Sequence, residues 1–150
     1  MGGCGRREQP VSTWWVLYDA DCGLCTWAVA VLLAWDRRGR LRPGAIQGAD
    51  GERLLADLDP DARLASWHLV APAGERSSGG AALAPLLRLL PGAGPVATAA
   101  GAAPNVSDRV YGWVVHHRAW LSRLIPAAAK RRARASVMRA EAVPGTAPPQ

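Results

Sequence analysis

Cys22 and Cys25 stand three residues apart in the run Asp19-Ala20-Asp21-Cys22-Gly23-Leu24-Cys25. Two thiols at this spacing can cycle between dithiol and disulfide, supply half of a zinc site, or pack as small apolar side chains. The redox reading needs a Cα separation of roughly 4.4–6.8 Å and one thiol acidic enough to ionise near neutral pH. A helix that opens on the pair meets both conditions. Residues on its first turn lie close together, and the unpaired N–H groups and positive dipole end stabilise a thiolate. Such a setting lowers a thiol pKa from about 8.5 into the range of roughly 3.5–7.5. Cys22, in the exposed turn, is then the expected nucleophile toward a substrate disulfide, and Cys25, one turn inward, the expected resolving thiol. Asp19 and Asp21 work against ionisation, since a nearby carboxylate raises a thiol pKa. They predict a nucleophile that titrates nearer neutrality than the acidic extreme of such motifs, with a reducing poise.

The other readings have their own requirements. Zinc needs four ligands, and beyond the pair the sequence offers Cys4, His68, His116 and His117. Cys4 lies in a Gly-rich leader, and the adjacent His116 and His117 point to different sides of a helix. No metal or bound cofactor is therefore expected beyond the cysteine pair itself. His68 falls inside a β-type run and reads as a paired core or surface histidine, and His116 and His117 as packing or solvent residues. The cluster Lys130-Arg131-Arg132-Ala133-Arg134 could meet phosphate, nucleic acid or an anionic surface, or be a solvated charge run. It lacks interleaved aromatics, so nucleic-acid binding by stacking is not expected.

Charge and composition bound the function further. The 150 residues carry a net charge of +6, yet residues 14–125 hold 11 Arg against 10 acidic residues. The excess sits mainly in residues 126–150, and 17 Arg against one Lys, with no Phe, points to GC-rich coding rather than a polyanion site. The longest apolar run, residues 26–35 (TWAVAVLLAW), is about half the roughly 20 residues that a spanning helix needs. No export signal is visible ahead of the Trp-rich strand, so a cytoplasmic location is expected.

The elements that must position the cysteines follow from patterning. Residues 1–13 read as a disordered leader, and Trp14 to Tyr18 (WWVLY) as a buried strand. Cys22 to Trp35 reads as a helix buried against a sheet, closed by Asp36 to Gly39. Arg40 to Ile46 is a second strand in which Pro43 demands an edge or a bulge. Ala49 to Leu58 is a short amphipathic helix with Leu54, Leu55 and Leu58 on one side. Trp67 to Val70 and Glu75 to Ser78 form a hairpin around Ala71 to Gly74. Ala81 to Leu90 is helical, with Pro85 in its first turn, and Pro91 to Pro104 is expected to be irregular. Ser107 or Asp108 caps a last long helix to about Ile125, with Val110, Val114, His117, Leu121 and Leu124 on one face and Trp113 and Trp120 beside it. Residues 126–150 are left as a basic, then Pro-rich tail. The order is a βαβ unit, a hairpin and further helices: an α/β, thioredoxin-like arrangement with a small mixed central sheet flanked by helices and an extra C-terminal helix.

The chain resembles the DCC family of thiol-disulfide oxidoreductases, named for Asp-x-x-Cys-x-x-Cys. Asp19, Cys22 and Cys25 match the motif, and Tyr18 and Asp21 extend it. Gly79 or Gly80 with Ala82 is similar to a second family run, and Tyr111 and Arg118 are similar to a Tyr and Arg seven residues apart on the family's last helix. The chain departs from the pattern at Ala20 and Gly23, lacks the Asp of the second motif, and has Ala65-Ser66 where thioredoxins proper place a cis-Pro. The resemblance covers about residues 14–124 and implies a thioredoxin-like fold with protein-disulfide reductase activity. The expected partner is a disulfide-containing protein or a low-molecular-weight thiol. A non-catalytic binding module or a zinc-binding domain is the alternative.

Overall fold

The computed structural model describes residues 12–143. The expected leader, with Cys4, and the Pro-rich end lie largely or wholly outside the described residues. Strand β1 (Trp14–Tyr18) leads into helix α1 (Gly23–Trp35) and returns as β2 (Leu41–Ala45), which pairs parallel with β1. Helices α2 (Ala49–Leu54) and α3 (Pro60–Leu64) precede the hairpin of β3 (His68–Val70) and β4 (Arg76–Ser78). β3 pairs antiparallel with β1, so the mixed sheet runs β2-β1-β3-β4. Pro43 sits on β2 at the sheet's edge, where a missing N–H is tolerated.

β1 sorts its side chains by strand alternation. Val16 and Tyr18 enter one core with Val29 of α1, Leu69 of β3 and, from the following helices, Leu86, Leu89 and Val137. Leu17 turns the other way and packs with Ile46, Leu55 and Val70, covered by Leu54 and Leu58 as the leucine pattern predicts. The central strand is thus buried on both faces, which explains a run as apolar as WWVLY.

Beyond the hairpin, a 3₁₀ turn (Gly79–Ala82) feeds α4 (Leu83–Leu89), followed by α5 (Gly94–Ala102), α6 (Pro104–His116), α7 (Arg118–Leu124) and α8 (Ala127–Ala142). Several expectations need correcting here. Pro91 to Pro104 is not irregular, because Pro95 falls in the first turn of an Ala-rich helix, where its missing N–H costs nothing. The next helix starts at Pro104 for the same reason. Ser107 is consequently no cap. It is buried within the helix, its hydroxyl donating to the Ala100 carbonyl at 3.2 Å. The single long helix is interrupted at His117, which ends α6 and precedes α7. That break resets the helical register, so the face expected from Val110 to Leu124 is not continuous, and both of those residues are exposed.

The largest correction concerns the tail. Residues 127–142 form a helix packed along α1 and against β2, with Ala133 and Val137 buried. Its four-residue spacing of buried small apolar side chains makes a narrow stripe that the surrounding arginines hide in the sequence. Tyr18 donates its hydroxyl to Glu141 at 3.0 Å, and Arg42 donates to the Val143 carbonyl, tying the far end of α8 to β1 and β2.

Candidate active site

The turn between β1 and α1 is built from its own polar groups. The Cys22 N–H donates to the Asp19 carbonyl at 3.2 Å, and the Asp21 N–H donates to Asp19 Oδ1 at 3.0 Å. Gln47, just after β2, braces the turn from outside. Its Nε2 donates to Asp19 Oδ1 at 2.7 Å while its Oε1 accepts from the Ala20 N–H at 3.2 Å. Asp19 therefore acts as a structural hub for the loop, and Asp21 is exposed beside it. Nothing in the sequence singles out Gln47. No local spacing connects it to Asp19, because the parallel pairing of β1 and β2 makes the contact.

Cys22 is the N-cap of α1, with extended backbone (φ −89°, ψ 108°), and its Sγ accepts the Cys25 N–H at 3.3 Å. A sulfur thus takes the place of the usual capping oxygen. Thr26 donates its hydroxyl to the Cys22 carbonyl at 3.1 Å and fixes the first turn. Both cysteines are free thiols and half-buried, Cys25 against the core that contains Val29.

The two sulfurs sit in contrasting electrostatic settings. A hydrogen bond from the Cys25 thiol brings the Cys22 pKa from 9.0 down to about 6, with help from the N–H groups of Cys25 and Leu24. Burial and the Asp19 charge oppose this shift, as the sequence predicts for the acidic neighbour. Cys25 is pushed far up, first by its bond to Cys22, then by burial and by the charges of Cys22 and Asp19, with Arg118 opposing. Once Cys22 is consumed in a covalent bond, two of these causes vanish, and Cys25 becomes easier to ionise.

The C-terminal helices complete the surroundings. Gly79, at φ +56°, and Gly80 lie under α6 so closely that a Cβ at Gly80 would stand 2.7 Å from the Asp108 Cα. This approach seats Tyr111, whose hydroxyl accepts the Trp67 N–H at 3.4 Å. Burial raises the Tyr111 pKa, the Cys25 charge adds to the shift, and Arg118 opposes it. Ser122 of α7 and Lys130 of α8 flank Gly23: a Cβ there would lie 3.5 Å from Ser122 Oγ and 3.4 Å from Lys130 Cδ.

The family model that matches residues 16–124 is DCC1-like thiol-disulfide oxidoreductase. The chain belongs to the DCC1-like thiol-disulfide oxidoreductase family. No match was found among curated proteins or among solved structures. The match ends at residue 124, whereas the folded helix α8 lies beyond it. Of the residues that carry the resemblance, Asp19, Cys22 and Cys25 share one turn, and Tyr111 and Arg118 of the DCC1-like domain approach it from α6 and α7.

The remaining candidates lie elsewhere. His68 is buried on β3, with Nδ1 2.7 Å from Ser78 Oγ and Nε2 2.9 Å from the Arg63 carbonyl. It is a paired core histidine. His117 stacks on Trp113 and lies edge-on to His116. Among the described residues, no group of three or more Cys, His, Asp or Glu is gathered where a metal could bind. No helix there is long and apolar enough to cross a membrane.

Proposed function

We propose that the protein is a protein-disulfide reductase in which Cys22 attacks and Cys25 resolves. The observation that carries this reading is the Cys22 sulfur at the N-cap of α1, taking the Cys25 N–H at 3.3 Å with the second thiol beside it. The Cys22 thiolate attacks one sulfur of a substrate disulfide. The substrate S–S bond breaks, and its other sulfur leaves as a thiolate that takes up a proton. Cys25 then loses its proton and attacks Cys22 Sγ in the mixed disulfide. The Cys22–Cys25 disulfide forms and the second substrate thiol departs. Two electrons and two protons pass from the dithiol to the substrate, and a thiol reductant must restore the pair.

The cysteine pair takes the place of a bound cofactor. Asp19 supports it by shaping the turn and by restraining its acidity, and Asp21 by donating its N–H to Asp19. The substrates are disulfides of proteins or of low-molecular-weight thiols. A compartment that keeps thiols reduced, the cytoplasm, suits a pair with this poise.

Insulin reduction with dithiothreitol as electron donor tests the proposal. The wild-type chain should accelerate precipitation of the insulin B chain, and Cys22→Ser should return the rate to that of dithiothreitol alone. Cys25→Ser should instead accumulate a mixed disulfide detectable by mass. Full activity in Cys22→Ser would overturn the assignment.

A further inference from the structure

The basic C-terminal segment, which the sequence leaves as a tail without a role, is brought by the fold to the dithiol. Lys130 runs its aliphatic stem along Gly23, the residue between the capping cysteine and the helix interior, and Ser122 Oγ lies at the same position. Arg118 opens α7, which also packs on α1, and its charge acts on both Cys25 and Tyr111. Among the described residues the ion pairs are Arg53 with Asp50 and Arg76 with Asp57, so no carboxylate neutralises Arg118 or Lys130. The acidic groups of the site are arranged differently. Asp19 is taken up by Gln47 and by the Asp21 N–H, on the side facing the end of β2. Residues 104–143 add six further cationic side chains to these two, against Asp108 and Glu141.

We propose that Arg118, Ser122 and Lys130 form a carboxylate-recognising flank of the dithiol, selecting disulfides that carry negative charge beside the reacting sulfur. The inference rests on the thiol-exchange reading and adds a substrate class to it. A disulfide approaching Cys22 can set a neighbouring carboxylate against the ammonium and guanidinium, with the Ser122 hydroxyl as a further donor. The same carboxylate turned the other way would meet Asp19 and Asp21, so the flank also sets which substrate sulfur is presented. The covalent step is unchanged: Cys22 forms the mixed disulfide, and the displaced substrate sulfur leaves as a thiolate.

The test uses the full chain carrying Cys25→Ser, which stops at the mixed disulfide. Its rate of formation is measured by mass with oxidised glutathione, with a disulfide-linked peptide bearing Glu beside each cysteine, with neutral hydroxyethyl disulfide and with cationic cystamine. Each rate is divided by that of a small free thiol with the same probe, which removes intrinsic reactivity. At about 0.01 M salt the normalised rates should favour the anionic probes over cystamine by about tenfold. Near 1 M salt, where screening acts within about 3 Å, the preference should collapse toward one. Arg118→Gln and Lys130→Gln should each shrink it several-fold, Lys130→Arg should restore it, and the charge-matched Arg139→Gln, nine residues along α8, should leave it in place. Preference for the glutathione probe or for the peptide identifies a small or a polypeptide source, and either supports the flank. Equal normalised rates, a cationic preference, or an anionic preference unmoved by Arg118→Gln and Lys130→Gln would overturn it. Failure of every probe to form a mixed disulfide would instead sink the thiol-exchange reading.

Discussion

The β1–turn–α1 unit and the α6–α7 pair meet at the same site but are built on different terms. In β1, Val16, Leu17 and Tyr18 are all under 5% exposed and the strand is paired on both sides. Along α6 and α7, Val110, Trp113, Trp120 and Leu124 are each more than half exposed. The first unit fixes atoms to within hydrogen-bonding tolerance. The second brings charge and a tyrosine hydroxyl to the neighbourhood through a few contacts, chiefly the Gly79-Gly80 seat. The proposed reactivity therefore rests on a short, locally determined segment, while its surroundings are supplied by elements roughly a hundred residues away in sequence.

The widest separation between the two regions should appear in turnover. Cys22→Ser is expected to lower disulfide reduction on the order of a thousandfold or more, whereas Trp113→Ala should change it by less than about twofold. Comparable losses from both variants would erase the distinction.

Stability should follow the same division. Leu17→Ala empties a fully buried position on the central strand and is expected to cost about 2–5 kcal/mol in chemical denaturation. Val137→Ala, also fully buried, should cost about 2 kcal/mol, placing α8 with the core rather than with a tail. Trp113→Ala should stay within about 0.5 kcal/mol. A silent Val137→Ala would return α8 to the periphery.

The seat of α6 gives a smaller and more local effect. In Gly80→Ala the new methyl meets the Asp108 carboxylate and, at 2.7 Å from Cα and 2.8 Å from N, the Asp108 backbone, which cannot swing aside. A loss of about 1–3 kcal/mol is expected, with slower insulin reduction as Tyr111 shifts. Unchanged activity would mean that Tyr111 does not shape the site.

The smallest expected effect is a pH dependence outside the site. Burial, with the Arg76 charge, lowers the His68 pKa below its ordinary 6.5 despite the Arg63 carbonyl. The folded state thus holds this histidine neutral, where the unfolded chain protonates it near pH 6.5. Its contribution to stability is present above that value and is lost as the pH falls below it toward the depressed folded pKa. Wild-type protein should lose more stability between pH 7.5 and 5 than His68→Gln, and equal losses would rule out this origin.

What the sequence made legible follows the same boundary. WWVLY, the Cys-x-x-Cys turn, the edge-strand Pro43 and the shared side of Leu54, Leu55 and Leu58 each announce themselves through local pattern, although the helix expected over Ala49 to Leu58 stops at Leu54 and the last leucines pack from a turn. The Gly94–Ala102 helix was hidden because Gly and Pro signal breaks unless they fall in a first turn. α8 was hidden because its buried stripe is narrow, Ala133 and Val137 amid five cationic side chains. At the site, the cysteines and Asp19 could be read from spacing. Gln47, Ser122 and Lys130 could not, since only the parallel β1–β2 pairing and the packing of α7 and α8 on α1 bring them there.

Titrating the Cys22 sulfur decides whether the Cys25 thiol, together with the opening turn of α1, creates a reactive thiolate there. The alkylation rate of reduced protein by iodoacetamide, mapped to Cys22 by mass across pH 4 to 10, follows the thiolate fraction. It should rise about tenfold per pH unit at low pH and level off with a midpoint near 6. Cys25→Ala, which removes the thiol donor, should move that midpoint upward. A wild-type midpoint at about 8.5 or above, the value of an ordinary thiol, would mean that Cys22 is not activated.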